Sequence, residues 1–287
     1  MNNLKYFAQF LGIIILLIIY KILGLKYSSI LSGKILKILG PVFRSNNICH
    51  SNLAIAFPDL NKDEKEKIIK NMWNNYGKIL AEYMYIKKFR NSETFSKNII
   101  IKNQEILEKI KSDSKPVIFV SGHFNNFELM AMEIEKAGIN LCAIYRPLNN
   151  PFLNLIMEKI RKDYICKNQI KKGKSGTRNL IELFKKNFSV ALMIDQRVSE
   201  GITVKFFNNL AKTTTIPAQL VKKYACRIVP VYIERKNKHS FKISFQKPIK
   251  FDDNLSIDKI SLELNRILEK MILKNPDQWI WTHDRWK

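Results

Sequence analysis

The stretch from residue 117 to residue 130 reads VIFVSGHFNNFELM. A run typical of a buried strand ends at Gly122, His123 follows at once, and Glu128 stands five residues later, where a helical pattern begins. On one regular helix, residues five apart point about 140° away from each other and could not cooperate. If His123 lies in a turn and Glu128 in the first turn of a helix, the two side chains can meet. The pattern therefore predicts a strand-turn-helix junction that could carry a site.

The pairing of His123 with Glu128 has a chemical meaning. A carboxylate that accepts a hydrogen bond from one ring nitrogen fixes the tautomer of a histidine and leaves the other nitrogen free as a general base. We therefore predict that His123 and Glu128 are catalytic. A structural alternative stays open, because Asn125 to Glu128 has the spacing of a capping box and His123 would then be an ordinary turn residue.

From residue 116 onward, strand-like and helical patterns alternate. The strand-like runs cover 117–121, 141–145, 189–194, 204–207, 228–234 and 241–245, and the helical patterns cover 127–137, 151–162, 177–186, 215–225 and 257–273. Such alternation predicts an α/β fold with a single mixed or largely parallel central sheet flanked by helices.

Residues 6–25 are almost wholly apolar, YFAQFLGIIILLIIYKILGL. At about 1.5 Å per residue, such a helix crosses a hydrocarbon core of about 30 Å. A cleaved signal peptide is the competing interpretation, but no small-residue cleavage site follows. Lysine and arginine are concentrated after the run, which predicts a cytoplasmic body. We therefore expect a single-pass membrane anchor at 1–25 and one domain at 26–287 on the cytoplasmic side.

Residues 27–43 repeat apolar side chains at helical spacing, with lysines between them. This pattern predicts either a helix in the membrane interface or an ordinary core helix, and the sequence does not decide between them.

The chain has 287 residues and a formal net charge of +24, which favours an acidic partner. Nucleic acid, anionic lipid headgroups and an acidic carrier protein all fit that charge. The four cysteines and four histidines are scattered without the paired spacing of a metal site, so no metal and no cofactor are predicted.

Several other polar residues follow predicted strands or open predicted helices. We predict that Arg146 contacts substrate, although a structural ion pair is an equal alternative. Ser175 and Arg178 lie at a helix start that suits a phosphate or carboxylate, where simple capping is the alternative. Asp195 and Gln196 follow a strand at the expected carboxyl-end crevice and are predicted to bind substrate.

Two familiar catalytic patterns are absent. The segment at 173–175 lacks the first glycine of a phosphate-binding loop, and no G-x-S-x-G nucleophile motif occurs. A histidine without a nucleophile beside it points to a base that activates a hydroxyl of the substrate. The tryptophan-rich tail at 276–287 fits a membrane interface, a nucleic-acid groove or closure of the core.

Taken in order, these blocks resemble the lipid A biosynthesis acyltransferases, the lauroyl- and myristoyl-transferring branch of the lysophospholipid acyltransferase superfamily. The resemblance covers nearly the whole chain. It rests on the apolar amino terminus, NLAIAFP at 52–58, GHFNNFE at 122–128, YRPLNNP at 145–151, KSGTR at 174–178, DQ at 195–196, VKFFN at 204–208 and PDQWIWTHDRWK at 276–287.

The resemblance implies a glycerolipid acyltransferase-like fold and transfer of a fatty acyl chain from acyl carrier protein to a hydroxyl of a lipid A precursor, at the cytoplasmic face of the inner membrane. The family's H-x4-D/E motif matches His123 as general base and Glu128 as its orienting carboxylate, and Arg146 matches a contact to substrate phosphate. Another membrane glycolipid is the alternative acceptor. The more distant alternative is a membrane-anchored nucleic-acid-binding protein, although the resemblance requires no nucleic acid.

Overall fold

The computed structural model describes residues 2–237 and 239–287 and shows an α/β fold. Seven strands form the central sheet: β1 (Ile99–Lys102), β2 (Ile118–Ser121), β3 (Leu141–Tyr145), β4 (Asn168–Lys171), β5 (Ser189–Met193), β8 (Ile228–Asn237) and β9 (Ser240–Phe245). Their spatial order is β1-β9-β8-β2-β5-β3-β4. The five strands from β8 to β4 are parallel, while β9 runs antiparallel to β8 and pairs in parallel with β1. The predicted fold class, a mixed and largely parallel sheet, is confirmed.

One predicted strand lies outside this sheet. Residues Ile202–Phe206 (β6) pair with Asn209–Thr213 (β7) in a separate antiparallel hairpin. Phe207 and Asn208 have left-handed φ angles of 49° and 58°, which give the tight turn that joins such strands. The sequence did not predict β1, β4 and β7, because runs of four or five residues that include lysine or asparagine carry little periodicity.

Helices connect the strands and cover the sheet. The eleven α-helices that the described residues form are α1 (Asn2–Phe43), α2 (Asn46–Ala56), α3 (Lys62–Glu82), α4 (Ile86–Asn91), α5 (Glu93–Ser96), α6 (Glu105–Asp113), α7 (Glu128–Lys136), α8 (Pro151–Tyr164), α9 (Lys174–Lys185), α10 (Ile216–Tyr224) and α11 (Ile257–Lys274). The predicted helix at 127–137 is therefore present as α7, directly after the turn that contains His123.

The first helix, α1, is long and apolar and breaks at Gly24, whose φ of 75° lies in the left-handed region. Within the described residues, one helix, Asn3–Phe43, is long and apolar enough to cross a membrane, and only 6% of its most apolar window is buried. One side of its first half contacts α8, where the Asn150 amide donates to the Tyr6 carbonyl at 2.8 Å. The opposite side exposes Leu4, Leu11, Ile15, Ile18 and Ile22. A core helix would bury such side chains.

The second half of α1 packs against α3 through small residues. A Cβ atom on Gly77 would lie 2.1 Å from the Ser32 carbonyl oxygen, so the two helices approach too closely for any side chain there. Ile38, Val42 and Phe43 point outward and are 74%, 80% and 75% exposed. The segment therefore does not bury its apolar side chains as an ordinary core helix would: Ile30, Ile35 and Leu36 are half-buried, whereas Ile38, Val42 and Phe43 are exposed.

The carboxyl-terminal tail closes over the sheet. The backbone of Trp279 bridges to Phe124, and the Trp279 and Trp281 side chains are 1% and 0% exposed. Of the three interpretations of the tail, closure of the core is the one observed. The buried rings are not free to stack on nucleic acid bases.

Candidate active site

Two adjacent parallel strands bring the central pair of residues together. Strands β2 and β5 pair in a register that sets Ser121 opposite Met193. Two residues farther along, His123 leaves β2 and Asp195 leaves β5 at the same edge of the sheet. Carboxyl ends of parallel strands are a common place for active sites, and this register places a base and an acid side by side.

Asp195 holds His123 by two hydrogen bonds. The backbone N–H of His123 donates to Oδ2 at 2.8 Å, and ring atom Nδ1 lies 2.8 Å from Oδ1. The indole N–H of Trp279 donates to Oδ2 at 2.8 Å. An ionised carboxylate only accepts, so Nδ1 carries the proton and Nε2 is left as the basic nitrogen. The Asp195 side chain is 0% exposed and the His123 side chain 22% exposed, so only the histidine reaches solvent.

Gly122 makes this approach possible. A Cβ atom at this position would lie 2.9 Å from the Phe124 ring and 3.2 Å from Cβ of Asp195. Any side chain here would push the turn away from β5. The glycine of the GHFNNFE block is therefore required by the closeness of His123 to Asp195.

The hydrogen bond predicted between His123 and Glu128 is not formed. Instead, one Glu128 carboxylate oxygen accepts from Nε and Nη2 of Arg161, at 2.8 and 2.6 Å, and from the Tyr83 hydroxyl. Glu128 opens α7, and the preceding turn passes through Asn125 at a left-handed φ of 45°, which directs the Glu128 side chain toward α8. Asp195, which the sequence predicts as a substrate contact, lies buried beneath His123 in the structure.

The two members of the pair shift each other's pKa in opposite directions. Burial by itself disfavours both charged forms. The charge of Asp195 and its hydrogen bond outweigh burial and raise the pKa of His123 above its usual 6.5. The charge of His123, its ring and backbone hydrogen bonds and the Trp279 N–H likewise outweigh burial and lower the pKa of Asp195 to about 2.

These shifts predict the pH dependence of the reaction. If neutral His123 is the base, kcat/KM should be full above the pKa of the free enzyme and fall as the pH drops through it. Because that pKa is raised, the midpoint of the acidic limb should lie above pH 6.5. Replacing Asp195 with asparagine removes the negative charge and should move the midpoint down. A wild-type midpoint at or below 6.5 would contradict the pairing.

His123 opens into a cavity of about 790 Å³. Phe127, Ala131, Ile144, Ile194 and Ile216 line its apolar part. Its basic part includes Arg44, Arg146, Arg161, Lys171, Lys172 and Arg197. A cavity of this size and mixed lining suits a ligand with both an apolar chain and an anionic group.

The remaining predicted site residues lie in different places. Gln196 and Arg146 both line the cavity, and Arg146 is exposed. Ser175 and Arg178 are also exposed but are not among the residues that line the cavity. Gly176 and Thr177 line the cavity instead. The first turn of α9 therefore faces the cavity with these two residues and not with Ser175 and Arg178.

Several residues of the site were not predicted. Trp279 and Arg161 come from distant parts of the chain, and Tyr83 follows α3 in a short 3-10 helix, Tyr83–Tyr85. Beneath the turn, Glu82 pairs with Arg235 at 2.5 Å and accepts from Asn126 at 3.1 Å. No local pattern marks such contacts. The one available signal was the cluster of tryptophans in the tail.

The fold and the site together define a class: an α/β protein with a carboxylate-held histidine at the carboxyl edge of a largely parallel sheet, facing a cavity lined by apolar and basic side chains. The family of bacterial lipid A biosynthesis acyltransferases matches residues 1–287, and the chain belongs to this family. It is therefore an acyltransferase of lipid A biosynthesis.

Individual relatives agree with this assignment. The chain is 24% identical over 251 residues to the lipid A biosynthesis palmitoleoyltransferase of Escherichia coli K12, covering 85% of this chain and 79% of the relative. It is 23% identical over 235 residues to the myristoyltransferase of the same organism, covering 80% and 71%. Lipid A biosynthesis acyltransferase 2 of Shigella flexneri is 24% identical over 237 residues, covering 80% and 74%. These relatives transfer different chains, so similarity to them does not select an acyl group.

Proposed function

We propose that this chain transfers a fatty acyl group from acyl carrier protein to a hydroxyl of a lipid A precursor, with His123 as general base and Asp195 as the residue that positions it. The observation that carries the proposal is the bond from Nδ1 of His123 to a buried carboxylate, which leaves Nε2 on the cavity side of the ring. Glu128 has a positioning role in this account, because it holds Arg161 at the cavity wall.

The chemistry follows from this arrangement. The acceptor hydroxyl gives its proton to Nε2 of His123 while its oxygen attacks the thioester carbon. A C–O bond forms and an electron pair moves onto the carbonyl oxygen. When the tetrahedral intermediate collapses, the C–S bond breaks and the leaving thiolate takes the proton from His123. Asp195 stabilises the imidazolium between these two steps.

The positive charge of the protein favours the binding of both proposed substrates. Acyl carrier proteins are acidic, and the net charge of +24 suits association with such a donor. Lipid A precursors carry phosphate, which arginine binds well through paired N–H groups. The basic residues that line the same cavity as His123 offer such groups.

Arg146 is the residue for which we predict a phosphate contact. Arg146→Ala should raise KM for the phosphorylated acceptor about tenfold, since hydrogen bonds to charged groups contribute about 1.5–3 kcal/mol. The value of kcat should change much less. Steady-state kinetics with varied acceptor tests this, and Arg266→Ala, an exposed arginine on α11, is the matched control. An unchanged KM would remove Arg146 from acceptor binding.

We propose that α1 attaches the protein to the cytoplasmic face of the inner membrane, with residues 1–25 as the anchor and 26–287 as the catalytic domain. The exposed apolar side of its first half supports contact with lipid. Ile38, Val42 and Phe43 in the second half support contact with the interface, and nearby Lys34 and Lys37 are exposed and suit anionic headgroups.

Cells from which the gene has been removed test the function. Their lipid A should lack one acyl chain by mass spectrometry, the wild-type gene should restore it, and the His123→Ala gene should not. Unchanged lipid A together with loss of a chain from another membrane glycolipid would favour the alternative acceptor. In cells that carry the restored wild-type gene, the protein should stay in the membrane fraction after an alkaline carbonate wash, and release by that wash would contradict the anchor.

A further inference from the structure

The tail after α11 brings a second histidine to the cavity. Thr282 and His283 line the same cavity as His123. Their backbone is fixed from α2, because the Asn52 amide donates to the carbonyl oxygens of Trp281 and His283 at 2.8 and 2.7 Å. His283 is therefore held in place by contacts that have no direct part in the reaction proposed above.

The tautomer of His283 follows from one contact. The backbone N–H of Arg197 donates to Nε2 of His283 at 3.0 Å. A nitrogen that accepts a hydrogen bond carries no proton, so the proton of the neutral ring is on Nδ1. Burial lowers the pKa of His283; the charge of Asp195 opposes this, but nearby positive groups, including His123, add to the effect of burial. The ring is thus kept neutral as an Nδ1–H donor.

That donor has no partner in the part of the chain that the structure describes. The hydrogen bond of the His283 side chain within the described residues is made through Nε2. His283 is half-buried, and Nδ1 is not one of the fully buried polar atoms that lack a partner, so this atom is accessible rather than sealed in the core. A neutral, oriented N–H group on the same cavity as a base is what acyl transfer needs at the carbonyl oxygen.

We infer that His283 donates a hydrogen bond through Nδ1–H to the thioester carbonyl oxygen as negative charge develops there. The inference rests on the function proposed above and extends it. While His123 takes the proton of the acceptor hydroxyl, the carbonyl electron pair moves to oxygen and is stabilised by His283. When the C–S bond breaks, the carbonyl re-forms and His283 keeps its proton throughout.

The different roles inferred for the two histidines agree with the groups that surround them. His123 faces a carboxylate that favours its charged form, so it can accept a proton during the reaction. His283 faces a backbone donor that opposes a proton on Nε2, so it can only donate from Nδ1. Pairs of titratable groups whose surroundings push them in opposite directions commonly divide acid, base and donor roles.

Two substitutions separate the donor from the structural contact. In His283→Gln, the side-chain oxygen can replace Nε2 as acceptor for Arg197, but the Nδ1 donor is lost. In His283→Asn, the side-chain NH2 group lies near the position of Nδ1, but the contact to Arg197 is lost. Kinetics of the full chain in detergent, with acyl carrier protein and precursor, should show kcat of His283→Gln reduced about 10²-fold or more with little change in KM. His283→Asn should retain at least tenfold more activity than His283→Gln.

Tyr76 is another hydrogen-bond donor with which His283 can be compared. Tyr76 also lines the cavity, and burial raises the pKa of its hydroxyl, which therefore stays protonated. Tyr76→Phe should lower kcat less than His283→Gln does. The inference is overturned if Tyr76→Phe carries the large loss, if His283→Gln turns over normally, or if His283→Gln changes KM alone. It is also overturned if His283→Asn is as inactive as His283→Gln while both unfold at the wild-type denaturant concentration.

The same experiment keeps this inference separate from the proposed function. If wild-type protein transfers no acyl group, the proposed function fails. If wild type is active, His123→Ala is inactive and His283→Gln is normal, only the role of His283 fails.

Discussion

Asp195→Asn is expected to lower kcat for acyl transfer on the order of 10³-fold, close to the loss expected for His123→Ala, because general base catalysis contributes about 10²- to 10⁴-fold. Asp195 accepts three hydrogen bonds, from the ring and backbone of His123 and from the Trp279 indole. An asparagine amide has one accepting oxygen and would turn its NH2 group toward one of these donors. The ring of His123 would then lose its fixed tautomer.

Steady-state turnover of the purified full chain measures this effect, and circular dichroism checks that each variant is folded. Glu128→Gln is the matched control for carboxylate charge, since Glu128 does not contact His123 in the structure. We expect Asp195→Asn to be the more inactive of the two. If Glu128→Gln abolished transfer while Asp195→Asn remained near wild type, Glu128 would be the orienting carboxylate and the pairing described here would be wrong.

Glu128→Ala is expected to destabilise the protein by about 3 kcal/mol or more, because removal of one partner from a buried ion pair leaves an uncompensated charge. The Arg161 and Glu128 side chains are 12% and 8% exposed. The guanidinium of Arg161 would also lose its anchor beside Tyr145, over whose ring it lies at 5.5 Å. Activity should fall as well, because Arg161 lines the cavity.

A double-mutant cycle separates the pair from the rest of the site. Denaturant unfolding in detergent should show that Glu128→Ala combined with Arg161→Leu is less destabilised than the sum of the two single changes. The exposed i,i+4 pair of Lys97 with Glu93 serves as the control, and its removal should change stability by less than about 1 kcal/mol. Additive losses at Glu128 and Arg161 would mean that the two side chains do not stabilise one another.

The strand, turn and helix that carry His123 could be predicted from local sequence. The run at 117–121 marks β2, the pattern after it marks α7, and the intervening glycine and histidine mark the turn, because each of these features depends on residues close in the chain. The long apolar helix at the amino terminus could also be predicted, because its apolar residues follow one another in the chain. Short polar strands such as β4 were missed, since Asn168–Lys171 has neither the length nor the alternation that periodicity needs.

The partner of His123 could not be predicted because it depends on the order of strands in space. Asp195 is 72 residues away from His123 and reaches it only because β5, rather than β3, lies next to β2. Glu128 was the nearest carboxylate in sequence, but its own partner, Arg161, comes from α8, 33 residues away. The tail illustrates the same limit. Its tryptophans were noticeable, yet only the bridge between Phe124 and Trp279 places one of them against Asp195.

The most direct test of the central claim is the mass of the acceptor after incubation of the purified chain with acyl-loaded carrier protein and a tetra-acylated lipid A precursor. We predict that the precursor gains the mass of one acyl group, that the carrier is released with a free thiol, and that His123→Ala and Asp195→Asn leave the precursor unchanged over the same time. An unchanged precursor with folded, membrane-inserted wild-type protein would contradict the account, and so would an undiminished gain with His123→Ala.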